Sequence, residues 1–298
     1  MVEKIISQWF PANLNLSANF SVLGILLLLF LSSCSIIDSE EQIPAFLEIN
    51  SFELTTTPEQ GENSAQITDA WVFVNDLSLG IYELPATVPV LDLGSQNITV
   101  FPVIRENGLR SAPVIYPLYR RYETTLELMA NQTITIQPTT TYESNTVFEL
   151  VESFNTTNHL LRGGNQDAVQ STNGVGQILL GEEDAVEFNS STTFIDLPTS
   201  GGFPVFLEID YKNNVVFEIG LEGISNNTNA TLFKTRLCPI NRWNKVYINF
   251  QEDLQLSQLP SYRLAFRVST EDLNCPVTTV VTNPEVLIDN VKFIRLTN

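Results

Sequence analysis

Tyr262-Arg263-Leu264-Ala265-Phe266-Arg267-Val268 and, a little earlier, Lys245-Val246-Tyr247-Ile248-Asn249-Phe250 alternate with a period of two. In the second run Val246, Ile248 and Phe250 share one phase, and Lys245, Tyr247 and Asn249 share the other. That is the pattern of a strand with one face on a core. The same period recurs in Gln132-Thr133-Ile134-Thr135-Ile136-Gln137 and Thr124-Thr125-Leu126-Glu127-Leu128. Ala70-Trp71-Val72-Phe73-Val74 is apolar in both phases, which suits a strand inside a sheet. Between the runs lie clusters of Asn, Gly, Pro, Ser and Thr, as at 55–64 and 225–231. After residue 34 no stretch keeps a helical period for more than about two turns, and the best short candidate is 252–259. Many short strands separated by turn signals predict an all-β chain built from β-sandwiches.

Composition narrows the partners. The 298 residues carry 34 Asp and Glu against 15 Lys and Arg, a formal net charge of -19. Nucleic acid is excluded as a partner, because phosphate binding needs clustered Lys and Arg. Electrostatic docking on an anionic lipid surface is excluded for the same reason. With 43% hydrophobic residues the composition is not that of a disordered chain.

Residues 21–31 read SVLGILLLLFL. The run is too short for the roughly 20 residues of a bilayer span and has the length of a signal-peptide core. It ends in Leu31-Ser32-Ser33-Cys34, which resembles the bacterial lipobox. The resemblance implies that residues 1–33 are a lipoprotein signal peptide and that Cys34 becomes the first residue, carrying the acyl (palmitate-type) chains. Several chains on one cysteine give stable anchoring, where a single chain is marginal. Losing Glu3 and Lys4 would leave the charge at -19. Residues 34–43 form an acidic tether, and Ser35-Ile36-Ile37-Asp38-Ser39-Glu40-Glu41 resembles the export tag of surface lipoproteins in some Gram-negative lineages. The expected place is the outer membrane of a Gram-negative bacterium, exposed at the cell surface.

With Cys34 acylated, Cys238 and Cys275 remain as an even pair in an oxidising compartment. Each is followed by Pro at the end of a strand-like run. A structural disulfide is expected, with two buried free thiols as the alternative. Closing a loop of roughly 37 residues would contribute roughly 3–4 kcal/mol on chain-entropy grounds. A zinc-type site is not indicated, since the chain has one His, His159, and no CxxC spacing.

Pro138-Thr139-Thr140-Thr141-Tyr142 closes a first set of strands, and Val147-Phe148-Glu149-Leu150-Val151-Glu152 opens a second. Residues 44–142 have the size of an immunoglobulin-like or transthyretin-like sandwich, and 147–298 that of a jelly roll. In the second part, Glu152-Ser153-Phe154 near the start, Phe206-Leu207-Glu208-Ile209-Asp210-Tyr211-Lys212 and Trp243-Asn244-Lys245-Val246-Tyr247-Ile248 within, and Val286-Leu287-Ile288-Asp289-Asn290-Val291-Lys292-Phe293 at the close resemble carbohydrate-binding modules of the galactose-binding-like jelly-roll type. The resemblance implies first and last strands side by side, with a structural calcium near them and Glu152 and Asp289 as its ligands. Separately, Val286 and Ile288 are out of phase with Val291 and Phe293. One extra residue at Asp289-Asn290, a β-bulge, would reconcile them. A carboxylate at a bulge can turn toward a metal, or it can simply be a bulge residue.

No catalytic constellation stands out. There is no GxSxG, P-loop or HExxH, and any Ser–His or Cys–His chemistry would rest on His159, in a polar loop-like stretch. Acidic groups such as Glu182-Glu183-Asp184 read as solvated loop in so acidic a chain, rather than as a glycosidase pair. Trp71 and Trp243 sit in apolar strand runs and are expected in the core. Tyr116, Tyr119 and Tyr122 flank the Arg120-Arg121 pair, as a half-buried strand edge or an interface. The expected function is a non-catalytic, membrane-anchored surface lipoprotein that binds a glycan through its jelly roll. The alternative is a structural or accessory subunit of an envelope protein assembly, and a glycoside-active enzyme ranks behind both. An exposed aromatic on the jelly roll would favour glycan binding; a contiguous apolar patch would favour the assembly.

Overall fold

The computed structural model describes residues 41–163, 168–181, 184–225, 229–271, 275 and 281–297. Cys34, the signal segment and most of the tether lie outside the described residues. The secondary structure of the described residues is nearly all strand, with one short α-helix, Gln251–Ser257, which overlaps the 252–259 stretch that sequence marks as helical.

The first sandwich has two layers. In one, Ala45–Ile49 lies between Ala86–Val90, antiparallel, and Thr133–Ile136, parallel, and beside it Glu53–Leu54 pairs with Thr139–Thr140. In the other, Asp69–Val74 is interior, between Leu77–Glu83 and Gly94–Arg105, and the long Gly94–Arg105 also pairs with Pro113–Ile115 and Tyr122–Leu128. Alternation decides what enters the core. Leu47, Ile49, Val72, Val74, Val88, Ile98 and Val100 meet between the layers. Trp71 and Phe73, in the opposite phase of their strand, stay half-buried on the outer face. Trp71 is therefore not a core residue. Its indole donates to Ser78 Oγ at 2.7 Å, and Phe73 bridges it to Phe101.

The second sandwich packs two six-stranded sheets in jelly-roll fashion. The inner sheet runs Gln170–Thr172, Val175–Leu179, Glu285–Leu296, Val205–Asn213, Ile240–Asn249, and the opening strand Thr146–Glu152 joins it along Glu285–Leu296. The outer sheet runs Leu161–Gly163, Ala185–Ser190, Ser261–Ser269, Val216–Ile224, Asn229–Leu237, with Phe194–Ile195 added to Ser261–Ser269. Opening and closing strands thus lie side by side, antiparallel. The closing strand has the expected bulge: its register against Val205–Asn213 shifts between Glu208 and Asp210, and Asn290 takes φ 49°. Asn tolerates the left-handed region better than a β-branched residue would. The extra residue lets Val286, Ile288, Val291 and Phe293 all enter the same core. Cys238 and Cys275 form a disulfide, with Cα atoms 5.4 Å apart.

Residues Pro44–Asn298 make one compact unit, because the first sandwich closes on the outer face of the inner sheet. Phe206, Tyr247 and Ile294 belong to the core of the first sandwich although they lie on strands of the second. Around them the backbone is stitched: Asn107 N–H donates to the Tyr247 carbonyl at 2.8 Å, and Asn249 Nδ2 to Glu106 Oε1 at 2.7 Å. At the centre of the seam Glu208 is fully buried. Its carboxylate accepts from the hydroxyls of Tyr116 (2.8 Å), Tyr142 (3.0 Å) and Tyr119 (3.3 Å) and faces Lys245 Nζ at 3.4 Å. Tyr116 and Tyr119 are thus buried between the sandwiches, and Tyr122 stays half-buried in its strand. Burial, and then the Glu208 charge, push all three of the buried hydroxyls, of Tyr116, Tyr119 and Tyr142, well above the usual tyrosine range. They remain protonated donors.

Candidate functional site

At the margin of this seam lies an open cleft of about 250 Å³. Its wall on the jelly roll comes from three neighbouring strands: Asp210 from Val205–Asn213, Trp243, Asn244 and Lys245 from Ile240–Asn249, and Asp289 from the closing strand. The opposite lip is Ser64, Ala65 and Gln66 of the first sandwich. Strand phase explains how Trp243 and Lys245 arrive there. Val246 and Ile248 enter the jelly-roll core, so Trp243, Lys245 and Tyr247 project the other way. The first sandwich covers Tyr247 and Lys245 but stops short of Trp243, which is 46% exposed. Trp243 is not a core residue either.

The lip is fixed to the wall. Gln66 N–H donates to Tyr247 Oη at 2.9 Å, Gln66 Oε1 accepts from Lys245 N–H at 2.8 Å, and Ser64 Oγ donates to Asp210 Oδ2 at 2.5 Å. Asp210 Oδ2 also accepts from Asn290 Nδ2 at 2.8 Å, and its Oδ1 faces Lys245 Nζ at 3.3 Å. Asp289 is held more lightly: its Oδ1 accepts the Asn290 backbone N–H at 2.7 Å. Burial is the main reason that its carboxyl is pushed up to about 6, with Glu62 and Asp210 adding to the rise and the Asn290 N–H and Lys245 opposing it. Asn290 Oδ1 is buried and has no hydrogen-bond partner among the described residues. The cleft therefore offers an indole face beside one lightly partnered carboxylate, that of Asp289.

Glu152 and Asp289 are not brought together. Glu152 sits opposite Val291, a core residue, and its two carboxylate oxygens accept the N–H groups of Phe154 (2.6 Å) and Leu160 (2.7 Å). Asp289 sits opposite Asp210 on the other face of the sheet. The Asn290 bulge is the cause, since it reverses the phase between Asp289 and Val291. The two carboxylates do not converge on one calcium ion, and among the described residues no three His, Cys, Asp or Glu side chains gather as metal ligands. His159 Nε2–H donates to the Val169 carbonyl at 3.0 Å and its ring lies against Phe154, a packing role.

A second aromatic surface, on the outer face of the first sandwich, joins Trp71, Phe73 and Phe101, with the Arg121 guanidinium 5.8 Å from the Phe101 ring centre. Nothing local in the sequence marks it as exposed except the phase of Ala70-Trp71-Val72-Phe73-Val74. The face on which Trp243 projects is legible in the same way, from its phase relative to Val246 and Ile248, but its exposure is not.

No family model and no curated protein matches the chain. Solved structures similar to it include a variant of a family 29 carbohydrate-binding module, at 12% identity over 50% of this chain and 91% of that one, with a TM-score of 0.33. Another variant of that module, complexed with cellulohexaose, matches at 14% identity over 51% and 93%, with a TM-score of 0.32. The enzymatically active domain of tailspike protein 4 of bacteriophage CBA120 matches at 17% identity over 52% of this chain and 20% of that one, with a TM-score of 0.31.

Proposed function

We propose that this chain is a membrane-anchored surface lipoprotein that binds a glycan, without catalysis, in the cleft beside Trp243. The observation that carries the reading is an indole exposed on the jelly roll next to side chains that accept and donate hydrogen bonds. A sugar ring needs both, an apolar face for its C–H groups and polar partners for its hydroxyls. At about 250 Å³ the cleft is below the roughly 300–1,000 Å³ of ordinary small-molecule sites, so it holds one sugar unit or a chain end, weakly. Many copies on a membrane would offset that weakness by avidity. A glycan array probed with the wild type and Trp243→Ala tests the reading. Binding by the wild type and loss in the variant is expected; equal binding by both overturns it. The anchor rests on the lipobox at Leu31-Ser32-Ser33-Cys34. Cys34→Ala is expected to leave the membrane fraction, and a variant still processed and membrane-bound contradicts acylation at that residue.

The envelope-assembly reading draws on the strip formed by Trp71, Phe73 and Phe101, since half-buried aromatics beside Arg are characteristic of protein interfaces. It gains the upper hand if the array is blank and the same protein captures a specific envelope protein through Trp71.

A further inference from the structure

Donors and acceptors in the Trp243 cleft do not balance. Asp210 already has three donors, Ser64 Oγ, Asn290 Nδ2 and Lys245 Nζ. Lys245 is committed in turn, lying between Asp210 and Glu208. The neighbouring Lys292 points elsewhere, with Nζ donating to the Glu62 carbonyl at 2.5 Å and to Tyr142 Oη at 3.3 Å. Asp289 therefore lines the cleft with one backbone N–H as its hydrogen-bond partner and no cation in ion-pair range among the described residues. A half-buried carboxylate with one donor keeps acceptor capacity that a donor-bearing ligand can fill.

Building on the glycan reading, we infer that the cleft selects a sugar bearing a free amino group, whose ammonium pairs with Asp289 while its ring lies on Trp243. An ammonium supplies up to three donors and the missing charge, and an indole face attracts a cation as well as C–H groups. The rest of the molecule favours the same choice, because a chain of charge -19 draws cationic ligands toward it. The groups that face Asp289 are Asp210 on the adjacent strand, Lys245 on the strand beyond it and Glu62 on the first sandwich. The two carboxylates deepen the negative potential and Lys245 only partly offsets it. The carboxyl, raised to about 6, must ionise to pair, so affinity falls as pH drops below about 6. It also falls at high pH, once the amine itself is neutral.

The test compares a β-1,4-linked glucosamine tetramer, its N-acetylated form and cellotetraose by calorimetry at pH 6.5, in physiological salt with a chelator present. The full-length protein, its Asp289→Asn variant and its Trp243→Ala variant are titrated with each. Roughly tenfold tighter binding of the amine is expected in the wild type, in line with one hydrogen bond to a charged group. Asp289→Asn should remove most of that preference and leave the neutral tetramers unchanged. Because that variant keeps nearly all of the acidic charge, diffuse attraction of a polycation would survive it. Equal affinity for the three ligands, or an amine preference untouched by Asp289→Asn, overturns the inference and leaves the glycan reading standing. If none of the three binds, and a wider array is also blank, the glycan reading itself falls.

Discussion

Asp289 is worse off in the folded protein than in the unfolded chain. Burial and the charges of Glu62 and Asp210 raise its carboxyl to about 6, above the usual carboxylate value of 3.8. A raised carboxyl binds its proton more tightly in the folded state, so its contribution to stability declines as pH rises from about 4 through 6. Asp289→Asn keeps an oxygen for the Asn290 N–H and removes the charge. The variant should melt above the wild type at pH 7.5, with the gap small at pH 4 and growing as pH passes 6. A thermal melt at the two pH values checks this; a variant less stable at pH 7.5 would mean that the charge holds the fold together. A residue that costs stability where a ligand could meet it is the pattern of a binding site, where function is kept at the expense of the fold.

Two strands carry most of what could be read in advance. In Glu285–Leu296 the apolar phase switches between Ile288 and Val291, and the structure answers with a bulge at Asn290. Periodicity shows the bulge because both faces of that strand are covered and every residue must choose a side. Periodicity did not show its consequence, that Asp289 and Glu152 end on opposite faces. In Ile240–Asn249 the phase of Val246 and Ile248 already assigned Trp243 to the outer face. What periodicity could not supply was the extent of cover on that face, which depends on how far the first sandwich reaches. A Trp in an apolar run was read as core, and its neighbours Tyr247 and Lys245 are indeed buried, while Trp243 lies just past the edge. The disulfide is legible from parity, once Cys34 is set aside on the lipobox resemblance.

At the scale of the whole molecule, the joint between the sandwiches had no local signal. Glu208 meets Tyr142, Tyr119 and Tyr116 at sequence separations of 66, 89 and 92 residues. Only the folded chain brings them together. A buried carboxylate is tolerated because three hydroxyls and Lys245 compensate it. Glu208→Ala would strand those donors, and a loss of about 3–5 kcal/mol is expected. Glu208→Gln, which keeps an acceptor, should lose less. Urea denaturation of the three proteins measures this, and a loss below about 1 kcal/mol for Glu208→Ala would show that the seam is held by Phe206, Tyr247 and Ile294 alone. Because the lip of the cleft is tied to the same seam through Gln66 and Tyr247, the cleft depends on both sandwiches being docked.

The most direct test of glycan binding at Trp243 uses the indole N–H signals of the 15N-labelled protein, assigned by Trp71→Phe and Trp243→Phe. Titration with an oligosaccharide found on the array, or with the glucosamine tetramer, should shift the Trp243 signal in a saturable way. The Trp71 signal, whose N–H is engaged by Ser78, should stay in place. Movement of Trp71 alone, or of neither signal while binding is measured by calorimetry, would place the ligand elsewhere and contradict the assignment of this cleft.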